Sequence, residues 1–345
     1  MRILRVTIMI AYCLVTESLL GQIAQSTNNF AVAAYKQLAE AAVDDNFVFS
    51  PLSLSTALRM TGAGASANTF SQMAAVLCGN EPATDIDQNT LSLMNSLAQT
   101  SNCKLLMANG LWLQSGYKLT SNYVDLTTKY YLAKCENVDF IKPRGRRKAC
   151  NAINSWTSDH TGGKIKHLID EQLLTTDTRL ILTNAVYFKC DWSIPFRASN
   201  SRSRTFHAID GSESKLTFMS RTHEFSYYAD SLCQAISLPY TDNRFQFIVL
   251  LPANGQFSFL EQQLNATMLD SLINRMFDAE VELLLPKFRT TTNTDFTQLL
   301  KNMGITEAFT PAADFSKMTA ANDLMIGKVL HKAIIEVDEQ GTEAA

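Results

Sequence analysis

Glycine and proline are scarce in this chain of 345 residues, at 14 and 8. So few leave no room for long flexible linkers or a collagen-like repeat. Charge is sparse too: 18% of residues are charged and the formal net charge is −3. Without a global basic field, a dedicated nucleic-acid binder is disfavoured. No CxxC pair and no His/Cys cluster at ligand spacing occurs, so no metal and no cofactor is expected. The sequence also lacks GxSxG, HExxH and GxxxxGK[ST]. After residue 15 no apolar run approaches the length of a membrane span.

What is present is apolar: 46% of residues are hydrophobic, enough for a large core and too many for a disordered chain. The N-terminus reads as an export leader. Arg2 and Arg5 precede the apolar run Val6–Val15, and Gly21 follows at cleavage distance. Residues 1–21 are therefore expected to be a signal peptide, and 22–345 one domain, since no composition shift marks a boundary. The protein is expected to be secreted. Secretion permits disulfides among Cys78, Cys103, Cys135, Cys150, Cys190 and Cys233, but their wide spacing leaves bridges and buried free thiols equally open. Secretion also makes the sequon at Asn265 usable.

Helical periodicity dominates the first third: Phe30 to Ala39, a stretch from Pro51 through Leu54 and Leu58, and Asn89–Leu97. Near-continuous apolar runs then predict strands at Arg179–Phe188, Phe245–Leu251, Val281–Phe288 and Met325–Val337. Late helices are expected at Phe259–Leu264 and Asp295–Asn302. The layout is α+β with large sheets.

Three local features invite function. Gly62 to Ala67 fits GxGxxA, but a helix rather than a strand precedes it, so a turn between helices is the better reading. His331 lies inside an apolar strand and reads as a hydrogen-bonded core histidine, not a catalytic one. A basic run contains Lys142, Arg144, Arg146, Arg147 and Lys148. It reads as a solvated loop before a helix, with a polyanion such as a glycosaminoglycan as the candidate partner. No motif supports an enzyme.

Longer motifs are more specific. Asn46 to Leu58, Gly64 to Thr69, Ile153 to Ile165, Thr183 to Lys189 with Trp192 and Phe196, Leu285 to Phe288, Gly304 to Phe309, Ala313 to Ser316 and His331 to Ala345 occur in one order. Together they resemble the serpin superfamily from about Phe30 to the last residue. The resemblance implies helices around three sheets. It also implies an inhibitor whose cleaved bait loop inserts into the main sheet as a new strand. The target would be a serine protease, with a cysteine protease as the alternative.

By the same resemblance, Glu339, Gln340, Gly341, Thr342, Glu343, Ala344 and Ala345 are the loop hinge. Ser50, Ser53, Asn184 and His331 are the shutter beneath the sheet. Trp192, Lys287 and Glu339 are the breach at its top, with a Lys287–Glu339 salt bridge expected at the root of the loop. Small residues after Gly341 suit insertion, and Gly341 itself avoids a Cβ clash. Cys190 stands where the family usually has Gly, and Ala67 likewise. In the family the bait loop runs on past Ala345, so the scissile bond and the last strands are expected to be absent from this chain. A non-inhibitory carrier or chaperone, or an inactive fragment, is the alternative reading.

Overall fold

The computed structural model describes residues 18–41, 45–320 and 323–345. Most of the expected leader, Cys13 included, lies outside the described residues. Its end, Ser18–Gly21, is the first turn of α1 (Ser18–Ala41). Then come α2 (Pro51–Ala63), α3 (Ala67–Leu77) and α4 (Ile86–Ala98). Ser50 caps α2 by accepting the Ser53 N–H at 3.3 Å, and Pro51 occupies the first turn, where its missing N–H costs nothing. Leu54 and Leu58 turn one face of α2 into the core. Within the Gly62–Ala67 segment, Gly64–Ser66 form the turn between α2 and α3. Gly64 is required there because an added Cβ would meet Met318 and Tyr123 at under 3 Å.

The middle of the chain holds β1 (Lys104–Gln114), α5 (Ser121–Tyr131), β2 (Ala133–Val138), α6 (Pro143–His160) and β3 (Leu180–Asp191). Next are β4 (Arg202–His207), β5 (Glu213–Ala229), β6 (Cys233–Pro239), β7 (Gln246–Pro252), α7 (Phe257–Gln263) and α8 (Ala266–Asn274). The last elements are β8 (Phe277–Pro286), β9 (Phe288–Asp295), α9 (Thr297–Asn302), β10 (Leu330–Val337) and β11 (Gly341–Ala344). Residues Met325–Val329 were expected to extend β10 but stay outside the ladder. The Val329 N–H is taken by Thr297 Oγ1 at 3.0 Å and its carbonyl by the Phe296 N–H at 2.7 Å.

The larger sheet runs β2-β1-β3-β11-β10-β9, antiparallel except for the β1–β2 pair. One face carries α6 through Trp112, Ile153, Trp156 and Ala185. At the sheet's upper end, Phe188, Ile335 and Val337 pack with Trp192, Leu238 and Phe247. The smaller sheet runs β4-β5-β6-β7, with β8 also on β5. Three sheets were expected; two are formed among the described residues. The reason is β5, 17 residues long. It pairs with β4 at its start, β8 along its middle and β6 at its end, so the expected second and third sheets share one strand. No helix among the described residues is long and apolar enough to cross a membrane.

Candidate functional site

The site lies where the larger sheet takes in its shortest strand. After β10 the chain reverses over Asp338–Gly341. Asp338 Oδ1 accepts the N–H groups of Gln340 (2.8 Å) and Gly341 (3.3 Å), and the Asp338 N–H returns to the Gly341 carbonyl at 3.1 Å. The chain then runs back as β11. Gly341, Thr342, Glu343 and Ala344 pair with Asp191, Cys190, Lys189 and Phe188 of β3, and Thr342 to Ala344 pair with β10. Ala345 extends the contact by exchanging both backbone bonds with Ile334, at 2.6 and 2.8 Å. Gly341 approaches β3 so closely that an added Cβ would stand 2.1 Å from the Cys190 carbonyl oxygen. Only glycine fits.

Above β11 sits an aromatic floor. Trp192 is 1% exposed and stacks on Tyr240 at 4.7 Å, with Phe247 edge-on at 5.5 Å. Its Nε1–H donates to the Asp338 carbonyl at 2.9 Å, and its backbone N–H to the Gln340 carbonyl at 2.8 Å. Tyr240 donates to Thr342 Oγ1 at 2.7 Å. Lys287 Nζ lies 2.6 Å from Glu339 Oε2, and Ser201 donates to Oε1 at 2.8 Å. Burial pushes the Glu339 carboxyl up, but the Lys287 and Ser201 bonds outweigh it and leave its pKa below the ordinary value.

Lower in the sheet the arrangement changes. Below Ala345, Leu180–Tyr187 of β3 and Leu330–Ala333 of β10 share no ladder pairs among the described residues. Between them lies a cavity of about 40 Å³ whose lining includes Ser53, Asn184 and His331. Ser53 donates to Asn184 Oδ1, Asn184 donates to Asn109 Oδ1 at 2.6 Å, and Asn109 donates to the Tyr131 carbonyl at 2.7 Å. His331 is tied elsewhere: its Nε2 accepts the Ser50 N–H at 3.0 Å. Burial lowers the His331 pKa to about 4, so the ring is neutral and accepts. The Ser50 hydroxyl is spent on capping α2. The start of α2 thus joins the four residues, with Ser50 reaching His331 of β10 and Ser53 reaching Asn184 of β3.

The fold that carries this site has counterparts among known proteins. The model of the family described as "Serpin (serine protease inhibitor)" matches residues 25–345. The chain is a serpin. An uncharacterised serpin-like protein of Thermococcus kodakarensis is 36% identical over 94% of this chain and 74% of its own length. Reactive-loop-cleaved human thyroxine-binding globulin superposes with a TM-score of 0.90 at 27% identity, covering 95% of this chain and 97% of that one. Cleaved kallistatin complexed with heparin gives 0.88 at 28%, covering 94% and 97%.

Other parts of this serpin are placed as follows. The basic run is not a loop but the start of α6, with Lys142 at the N-cap and Arg144 to Lys148 within the first two turns. Arg146 bends back onto the Ile141 carbonyl at 2.5 Å, and Arg147 pairs with Glu171 at 3.2 Å. Lys142, Arg144, Arg147 and Lys148 are exposed. Asn265 is exposed and caps α8, accepting the Met268 N–H at 2.9 Å. Cys103 and Cys190 form a disulfide; Cys78, Cys150 and Cys233 are buried free thiols, and Cys135 is a half-buried one. Sequence reasoning missed Asn109, Ser201, Tyr240 and Cys103 as members of the site. None lies in a motif, and each meets its partner only across the fold.

Proposed function

We propose that this serpin is a secreted inhibitor of serine proteases that works by inserting its hinge into the larger sheet after the bait loop is cut. One observation carries the reading: Gly341–Ala344 form a strand between β3 and β10, in line with an unfilled gap below. The inserted side chains suit it. Thr342 is 2% exposed and Ala344 9%, so the sheet accepts them without a void or a buried charge. Ser50, Ser53, Asn184 and His331 are proposed as the latch that parts below the advancing strand. Trp192, Lys287 and Glu339 are proposed to hold its root. Residues 1–21 are read as the leader, and Asn265 as a glycan acceptor. A serine protease is the proposed partner.

A chain carrying a reactive loop after Ala345 is expected to form an SDS-stable complex with a serine protease. Thr342→Arg places a cation against Tyr240 and should turn that chain into a substrate, cleaved without complex. Equal complex formation by this variant would overturn the reading. A non-inhibitory carrier would give no complex with either chain.

The basic turn supports a second partner. Cations in the first turn of a helix oppose its dipole, so the cluster costs stability where it stands. An anion there would meet the exposed side chains of Lys142, Arg144, Arg147 and Lys148. We infer that a polyanion such as a glycosaminoglycan binds at Lys142, Arg144, Arg147 and Lys148. Replacing these four with Gln should lower the salt needed to elute the protein from heparin; unchanged elution would sink the site.

A further inference from the structure

The hinge strand carries one acid. Register places Glu343 between Glu336 of β10 and Lys189 of β3. Glu336 and Glu343 are cross-strand neighbours of like charge, which a bare sheet disfavours. A cation from outside the sheet answers both. Lys164 Nζ lies 2.7 Å from Glu343 Oε2 and 3.9 Å from Glu336 Oε2. Tyr187, in β3, donates its hydroxyl to Glu343 Oε1 at 2.7 Å. Both carboxylate oxygens of Glu343 are thereby engaged.

Lys164 is held in place by the turn that ends α6. Thr161 Oγ1 donates to the Thr157 carbonyl at 2.8 Å and accepts the Ile165 N–H at 3.0 Å. Gly162 and Gly163 both take positive φ, at 57° and 77°, as this reversal requires. An added Cβ on Gly162 would stand 3.3 Å from the Tyr187 ring. The turn that presents Lys164 therefore rests on the same tyrosine that binds Glu343, and one local structure sets both halves of the contact.

We propose that Lys164 and Tyr187 form a receptor for the Glu343 carboxylate, which recognises the hinge as it enters the sheet and holds its first residues. The inference rests on the insertion reading above and adds to it a partner outside the sheet. In this scheme Lys164 serves Glu336 before insertion and bridges two carboxylates after it. Entry of the acid is thus drawn by the ammonium and spared the repulsion of Glu336. These are positioning residues, since neither touches a scissile bond.

Amide hydrogen exchange of the 345-residue chain tests the idea, read on residues 341–345 with His331–Ala333 of the β9–β10 ladder as internal reference. Lys164→Gln should speed exchange of 341–345 about fivefold, the scale of one half-exposed ion pair. Lys164→Glu should speed it further. The reference amides should not change. The double variant Lys164→Glu with Glu343→Lys should recover protection, which a merely structural role for Lys164 would not produce. Wild-type rates in the Lys164 variants, or no recovery in the double variant, would overturn the receptor while leaving insertion intact. Unprotected 341–345 in the wild-type chain would instead remove the insertion reading, and the receptor with it.

Discussion

The two ends of one gap differ in how they are closed. At the top, β11 fills the space and is held by an ion pair, a tryptophan donor, a tyrosine donor and a glycine-only approach. At the bottom, the space is unfilled and its lining is held by neutral side chains, Ser53, Asn184, Asn109 and His331. The difference is one of exchange cost. Neutral hydroxyl, amide and imidazole groups can trade partners when strands part, because each is both donor and acceptor. A buried charge cannot, since losing its partner leaves it unsolvated. On the proposed insertion reading, the top is the part that stays and the bottom the part that exchanges partners.

Changing the top should have the largest effect. Gly341→Val puts a Cβ into the Cys190 carbonyl, and β11 cannot form. We expect the exchange protection of 342–345 to fall more than about 100-fold, as severe backbone overlaps do. Retained protection would show that the close approach is relaxed in solution.

The bottom is reached through pH. His331 binds its proton less readily folded than unfolded, with a pKa of about 4 against 6.5. The unfolded state therefore holds more protons between those values, and stability falls as pH drops from about 6.5 towards 4. The full span is roughly 3 kcal/mol. Urea titrations across this window should show the slope, and His331→Gln should flatten it. An unchanged slope in the variant would assign the loss to other groups. Glu339 and Glu343, depressed instead, lose their contribution only as pH falls below the ordinary glutamate range.

The smallest effect is expected at Lys287, whose side chain is 38% exposed. Lys287→Met should cost about 1 kcal/mol or less in urea unfolding, after screening by solvent. A larger loss would mean that Glu339, left without its cation, destabilises the root of β11 as a buried charge does.

Much of this was legible in the residues. Apolar spacing located α1, α2 and α4, and continuous runs located β3 and β7, because burial dictates those patterns directly. β5 escaped because Glu213–Ala229 alternates between exposed and half-buried positions over 17 residues and offers no apolar run. Ser53, Asn184 and Glu339 could be named by resemblance, but their partners could not. Asn109 reaches Asn184 across 75 residues, and Ser201 reaches Glu339 across 138. The role of His331 was read as core, yet its partner is the Ser50 backbone rather than a side chain, which only the fold decides. The pairing of Cys190 was open for the same reason: six cysteines allow many connectivities, and proximity alone selects one.

That disulfide has a consequence for how the molecule is made. Cys103 precedes β1 and Cys190 lies near the end of β3, so the bond closes a loop across 87 positions. Ordering so long a loop carries an entropy cost that chain-closure models put at about 4 to 5 kcal/mol. Once the bond is in place, β1 and β3 meet as near neighbours, and their ten-pair ladder becomes a local contact. The end of β3 that pairs with Gly341 and Thr342 is thereby tethered to the start of β1.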